Sequence, residues 1–143
     1  MRTLDRSHVA AALMQAGYPA SATHISDLAY SPPRCDWLTG EFAAWFRSAL
    51  FALNISTYKA EAWDCDDYAD LFAALARMCH RRTSPDSGTA LPIGVIHYRA
   101  SSGPHAVVIA LTSDRGLVAI EPQTGGLITV NAVEAFGAWL VKV

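Results

Sequence analysis

The 143-residue chain is poor in charge: Asp, Glu, Lys and Arg make up 17% of it, and the formal net charge is -2. There is no basic surplus for nucleic acid phosphates or an anionic membrane surface, so neither is expected as a partner. Long apolar runs are missing too, and no stretch reaches the ~18 residues a membrane helix needs. The opening Met1-Arg2-Thr3-Leu4-Asp5-Arg6 is too polar and too soon acidic for a secretion signal, which predicts a cytoplasmic protein. Cysteine is sparse and odd in number. Cys35, Cys65 and Cys79 lack the C-x-x-C spacing of a zinc or redox site and suit a reducing compartment. No Gly-x-Ser-x-Gly elbow, phosphate loop or dinucleotide fingerprint occurs, which excludes those chemistries as sequence-based readings.

What is present is apolar mass. Hydrophobic residues make up 52% of the chain and mean hydropathy is +0.19, which argues against disorder. The surplus leaves room for an exposed apolar patch, either a substrate groove or a homodimer face. The length predicts a single domain over 1–143.

Periodicity divides the chain into a helical and a strand-rich half. Ser7 to Ala16 reads as a short helix capped by Asp5 or Ser7 and stopped at Gly17. The run to Arg34 reads as irregular. Phe42, Trp45, Phe46, Ala49, Leu50 and Leu53 recur at helical spacing within 39–53. A third helix runs from Cys65 to about Arg81 with Tyr68, Leu71, Phe72, Leu75 and Met78 as its apolar stripe. Asp64 is its N-cap, Asp66 and Asp67 favour the start of its dipole, and Arg77, Arg81 and Arg82 favour its end. Strands are predicted over 93–99, 105–111, 117–121 and 127–130, then a helical turn over 131–136 and a last strand over 139–143. Short connections favour antiparallel neighbours, and helices followed by a sheet make an α+β layout.

Three residues stand out. Cys65 begins a helix, where the dipole and free amides lower a thiol pKa. His105 opens one strand and Glu121 closes the next, so a hairpin across 113–116 places them at one end, within mutual reach. A carboxylate there would hold the imidazole tautomer. Cys79 reads as core, as does Cys35. His24, His80 and His97 read as surface or packing residues, and Trp37, Trp45 and Trp139 as core or rim aromatics.

The blocks Trp63-Asp64-Cys65-Asp66-Asp67-Tyr68-Ala69-Asp70-Leu71-Phe72, Gly103-Pro104-His105-Ala106 and Ile120-Glu121-Pro122-Gln123-Thr124 resemble the signature of the transglutaminase-like branch of the papain-like superfamily. Within it they resemble the C-terminal cysteine-protease domain of Marasmius oreades agglutinin and its bacterial and phage relatives. The resemblance spans 58–130. It implies a papain-like or transglutaminase-like α+β fold, with N-terminal helices packed on a small antiparallel β-sheet. It also implies a division of labour: Cys65 as nucleophile, His105 as base and then acid, Glu121 as orienting carboxylate.

The expected activity is then peptidase or amidase chemistry on a peptide or protein substrate through a Cys65 thioester. Transamidation on the same triad is one alternative, and a non-catalytic phage or mobile-element binding module is another. The Cys65 amide is the natural oxyanion donor. A papain-type Gln ahead of the nucleophile is absent, which leaves Ser56, Tyr58, Trp63 and Gln123 as supporting candidates. Asp64, Asp66, Asp67 and Asp70 crowd the thiol with like charge, which opposes activation. They are read either as caps and solvated groups or as ligands of Ca2+ or Mn2+, the metal dependence that the resemblance implies, with Asp36 as an outlying ligand.

Overall fold

A computed structural model describes residues 3–143; Met1 and Arg2 of the N-terminal run read above lie outside them. Strand β1 (Leu4–Asp5) leads into helix α1 (Arg6–Gln15), whose N-cap is Asp5, its carboxylate accepting from the His8 amide. The segment expected to be irregular contains a 3-10 turn (Ala20–Ala22) and two short strands, β2 (Thr23–His24) and β3 (Ala29–Tyr30). The second helix begins earlier than its periodicity suggests. It runs as α2 (Cys35–Trp37), a π-helical turn (Leu38–Phe42) and α3 (Ala43–Ala52). Helix α4 (Cys65–Thr83) starts at the predicted residue. Strands β4 (Ile93–Ala100), β5 (Gly103–Thr112), β6 (Gly116–Glu121) and β7 (Gly126–Ile128) follow, then α5 (Ala132–Phe136) and β8 (Leu140–Lys142).

The expected fold class is corrected here. The main sheet is a six-stranded mixed one in the order β2-β8-β4-β5-β6-β7. Its β2–β8 pair is parallel, Thr23 beside Val141 and His24 beside Lys142. The small antiparallel sheet of a papain-like or transglutaminase-like α+β layout is therefore only its central part. Local hairpins follow from short turns, but the parallel edge is a long-range pairing between the two ends of the chain, which turn chemistry cannot announce.

Strand β5 shows why the sheet is buried on both faces. Ala106, Val108 and Ala110 enter a core with Phe42, Phe46, Phe72 and Ala76, supplied by the π-turn, α3 and α4. Val107 and Ile109 point the other way, into a second core with Val9, Leu13 and Tyr18. A strand covered on both sides needs a continuous apolar run, and 106–111 supplies one. Phe42 and Phe72 meet edge-on at 4.9 Å between ring centres, as do Phe46 and Phe72 at 5.0 Å, which fixes α4 against α3. Gly94 lets β8 approach β4, because any Cβ there would lie 1.6 Å from the Lys142 carbonyl oxygen.

Candidate functional site

The N-terminus of α4 and the end of the sheet beside the β4–β5 turn enclose a cleft of about 350 Å³. It is lined by Tyr58, Glu61, Asp64, Cys65, Asp66, His97, Pro104, His105, Ala106 and Trp139. The strand register assembles the sheet side: Tyr98 pairs with His105, His97 with Ala106, and His97 also with Leu140 of β8. His97 and Trp139 meet edge-on with ring centres 6.3 Å apart, and the Trp139 amide donates to the His97 carbonyl at 3.1 Å.

His105 Nε2 lies 2.9 Å from Glu121 Oε2, and the two side chains are only 24% and 17% exposed. The other carboxylate oxygen, Oε1, accepts from the Gln123 amide at 3.3 Å. The hairpin argument therefore places this pair where the structure has it, and Gln123 meets it through its backbone amide.

Across the cleft, the loop before α4 is tight. Lys59 and Trp63 exchange two backbone hydrogen bonds, at 2.8 and 2.7 Å, and Glu61 adopts φ 61° at the tip. That is the left-handed region, strained for a residue with a Cβ. The Glu61 amide donates to Asp64 Oδ2 at 3.3 Å, and the Asp64 amide donates to Asp67 Oδ2 at 3.1 Å, which locks the helix start. Asp64 and Asp66 interact directly. The contact holds the Asp64 carboxyl below the usual carboxylate range and pushes the Asp66 carboxyl above it, as two adjoining acids that cannot both ionise freely.

The Cys65 thiol is pushed up by burial; the Ala106 amide pulls it down, and the Asp64 and Asp66 carboxylates push it up again. Among the described residues no hydrogen bond joins its sulfur to His105. The helix-start effect expected to activate Cys65 is thus outweighed by desolvation and like charge.

The supporting candidates separate. Tyr58 lines the cleft, whereas Ser56 and Trp63 do not. Trp63 packs on Tyr68 at 5.3 Å with its indole N–H buried and unpartnered. The acidic ligand set narrows as well. The ligand atoms of Asp64, Cys65 and Asp66 lie within 4.8 Å of one another, whereas Asp67 caps the helix and Asp70 lies outside the group. Two carboxylates and a thiol are a poor set for Ca2+, which takes six to eight oxygens, and no step is assigned to a metal. Asp36 pairs instead with Arg34 at 2.7 Å. Glu61, His97 and Trp139 join the cleft without having been singled out from the sequence; the pairing of β8 with β4 is the signal that would have found the last two.

No family model matches the chain, and no curated protein matches it in sequence. Solved structures do match. One is described as the "PSL1a-E64 complex", at 21% identity and a TM-score of 0.78, over 99% of this chain and 51% of that one. Another is Polyporus squamosus lectin bound to the human-type influenza-binding epitope Neu5Aca2-6Galb1-4GlcNAc, at 21% identity and a TM-score of 0.77, over 99% of this chain and 49% of that one. The chain spans about half the length of these structures, and at this identity the likeness is one of fold. The matched structures are those of a lectin, and no papain-like or transglutaminase-like family model matches. The expectation of a cysteine peptidase or transamidase acting on a peptide substrate is corrected on that finding.

Proposed function

We propose that this chain is a ligand-binding module whose recognition site is the cleft over Cys65, His105 and Glu121. The observation that carries the reading is convergence. Three segments far apart in sequence, around Cys65, His105 and Trp139, meet in one concavity beside a half-buried imidazole–carboxylate pair. Aromatic walls from Tyr58 and Trp139 give contact area, and the polar floor orients what binds. Glu61, Asp64 and Asp66 make the cleft acidic, so it favours neutral or cationic ligand groups over anionic ones. The fold likeness to a lectin supports a binding role, and PSL1a is a protein of this fold that takes compound E64.

Calorimetric titration with compound E64 and with the sialylated trisaccharide tests this. Compound E64 is expected to bind the wild-type chain and to bind Trp139→Ala and His105→Ala several-fold more weakly. The trisaccharide, which carries a carboxylate, is expected to gain nothing from this cleft. Equal binding of compound E64 to all three chains refutes the assignment.

No helix among the described residues is long and apolar enough to cross a membrane. The free Cys35, Cys65 and Cys79 support a reducing compartment, and we place the chain, as one domain, in the cytoplasm on that ground.

A further inference from the structure

A second concavity, of about 590 Å³, lies between the C-terminal half of α4, the 84–91 loop and residues 26–29. Arg77, His80 and Arg81 line it together with Ser84, Ser87 and Thr89. Arg77 and Arg81 are four residues apart and so share a helix face.

Both guanidinium groups are held in place by carbonyl groups rather than by acids. Arg77 donates from Nε and Nη2 to the Ile93 carbonyl at 3.2 and 3.1 Å, and Arg81 donates from Nη1 to the Pro85 carbonyl at 3.2 Å. Among the described residues neither forms a salt bridge. A guanidinium has five N–H donors, so each keeps most of its fork free and fixed in direction. His80 Nε2 is bound at 3.0 Å to the Thr89 carbonyl, the Ser87 hydroxyl donates to the same carbonyl at 3.4 Å, and Ser84 adds a neutral side chain to the wall.

Two features oppose an anion here. Asp27 lines the concavity, and the end of the α4 dipole contributes roughly half a negative charge. Two full positive charges exceed the dipole, and the Asp27 carboxylate pairs with neither guanidinium.

We propose that this pocket is a binding site for a ligand bearing a compact oxyanion, a carboxylate or a phosphate monoester, clamped by Arg77 and Arg81. It is separate from the acidic cleft, which lies at the opposite end of α4, so one chain offers a site of each sign. The pocket does not depend on the function proposed for the cleft.

The test is an NMR titration of the ¹⁵N-labelled chain with inorganic phosphate and, separately, with N-acetylneuraminate, at ionic strength held constant with chloride. Saturable shifts are expected at the amides of Ser87, Gly88 and Thr89 with at least one of the two anions. Whichever binds identifies the source of the oxyanion. Arg81→Gln is expected to weaken that binding about tenfold, the loss of one charged hydrogen-bonding partner. Arg82→Gln, outside the pocket lining, is expected to leave it unchanged at the same net charge. A melting curve for each variant confirms that it is folded. Absence of saturable shifts with both anions overturns the proposal, as does an equal effect of the Arg81 and Arg82 substitutions.

Discussion

Replacing Gly94 by Ala should detach the edge of the main sheet. The added Cβ would lie 1.6 Å from the Lys142 carbonyl oxygen, 2.6 Å from its carbonyl carbon and 2.9 Å from Val143 Cα. All three are backbone atoms, so no rotamer change relieves the clash and β8 must move. Strand β8 is joined to β4 by the pairs Val95–Lys142, Ile96–Val141 and His97–Leu140, and β2 reaches the sheet only through β8. Overpacking alone costs about 1–3 kcal/mol. Partial exposure of buried Val141 and Val143 adds to it, at roughly 1.5–3 kcal/mol for each side chain fully uncovered. An overall loss of about 3 kcal/mol lowers the melting temperature by roughly 10 °C for a chain of this size. Gly40→Ala is the matched control, since nothing lies within 4 Å of a Cβ at that position. It should be neutral or slightly stabilising. Urea denaturation of the two variants measures both effects, and a Gly94→Ala chain within about 1 kcal/mol of wild type refutes the reasoning. Because Trp139 hangs from His97 just before β8, the same substitution should loosen the cleft rim.

Other perturbations read the site and its supports. Glu121→Ala leaves His105 Nε2 without its half-buried partner and should cost about 1–2 kcal/mol in denaturant titration, whereas Glu121→Gln, which retains an acceptor, should cost less. Burial and the Asp64 and Asp66 carboxylates push the Cys65 thiol up, so iodoacetamide labelling of Cys65 should be slow at pH 7 and rise only at a higher pH than for an ordinary thiol. Asp64→Asn together with Asp66→Asn should move that rise to lower pH, and fast wild-type labelling at pH 7 counts against the account. Asn131 caps α5 by accepting from the Glu134 amide at 2.9 Å, so Asn131→Ala should cost about 1 kcal/mol in a thermal melt.

The sequence made some parts of the molecule legible and hid others for identifiable reasons. Helix α4 declares itself because an acid cap and a three-to-four spaced apolar stripe agree. The His105–Glu121 pair follows from one turn between two apolar runs, since a hairpin is a local object. Strands β2 and β3, two residues each, have no period to detect, and the parallel β2–β8 pairing joins residues more than a hundred positions apart. The antiparallel pairing of β8 with β4 brings Trp139 beside His97 at the cleft, a contact that no local pattern announces. The π-turn at 38–42 was hidden in a sequence that reads as continuous helix. Asp36 was drawn toward the metal hypothesis by its charge alone, whereas Arg34 two residues earlier claims it. Cys65 shows the limit of motif reading most clearly: its place at a helix start is legible, but the burial that pushes its thiol up exists only in three dimensions.

The recognition cleft stands or falls on an NMR titration with compound E64 that follows the Trp139 indole and the His105 ring. Saturable shifts at both, weakened in step with affinity when Tyr58 is replaced by Ala, are the predicted result. Binding that leaves these two side chains unperturbed, or no binding of any kind, contradicts the account.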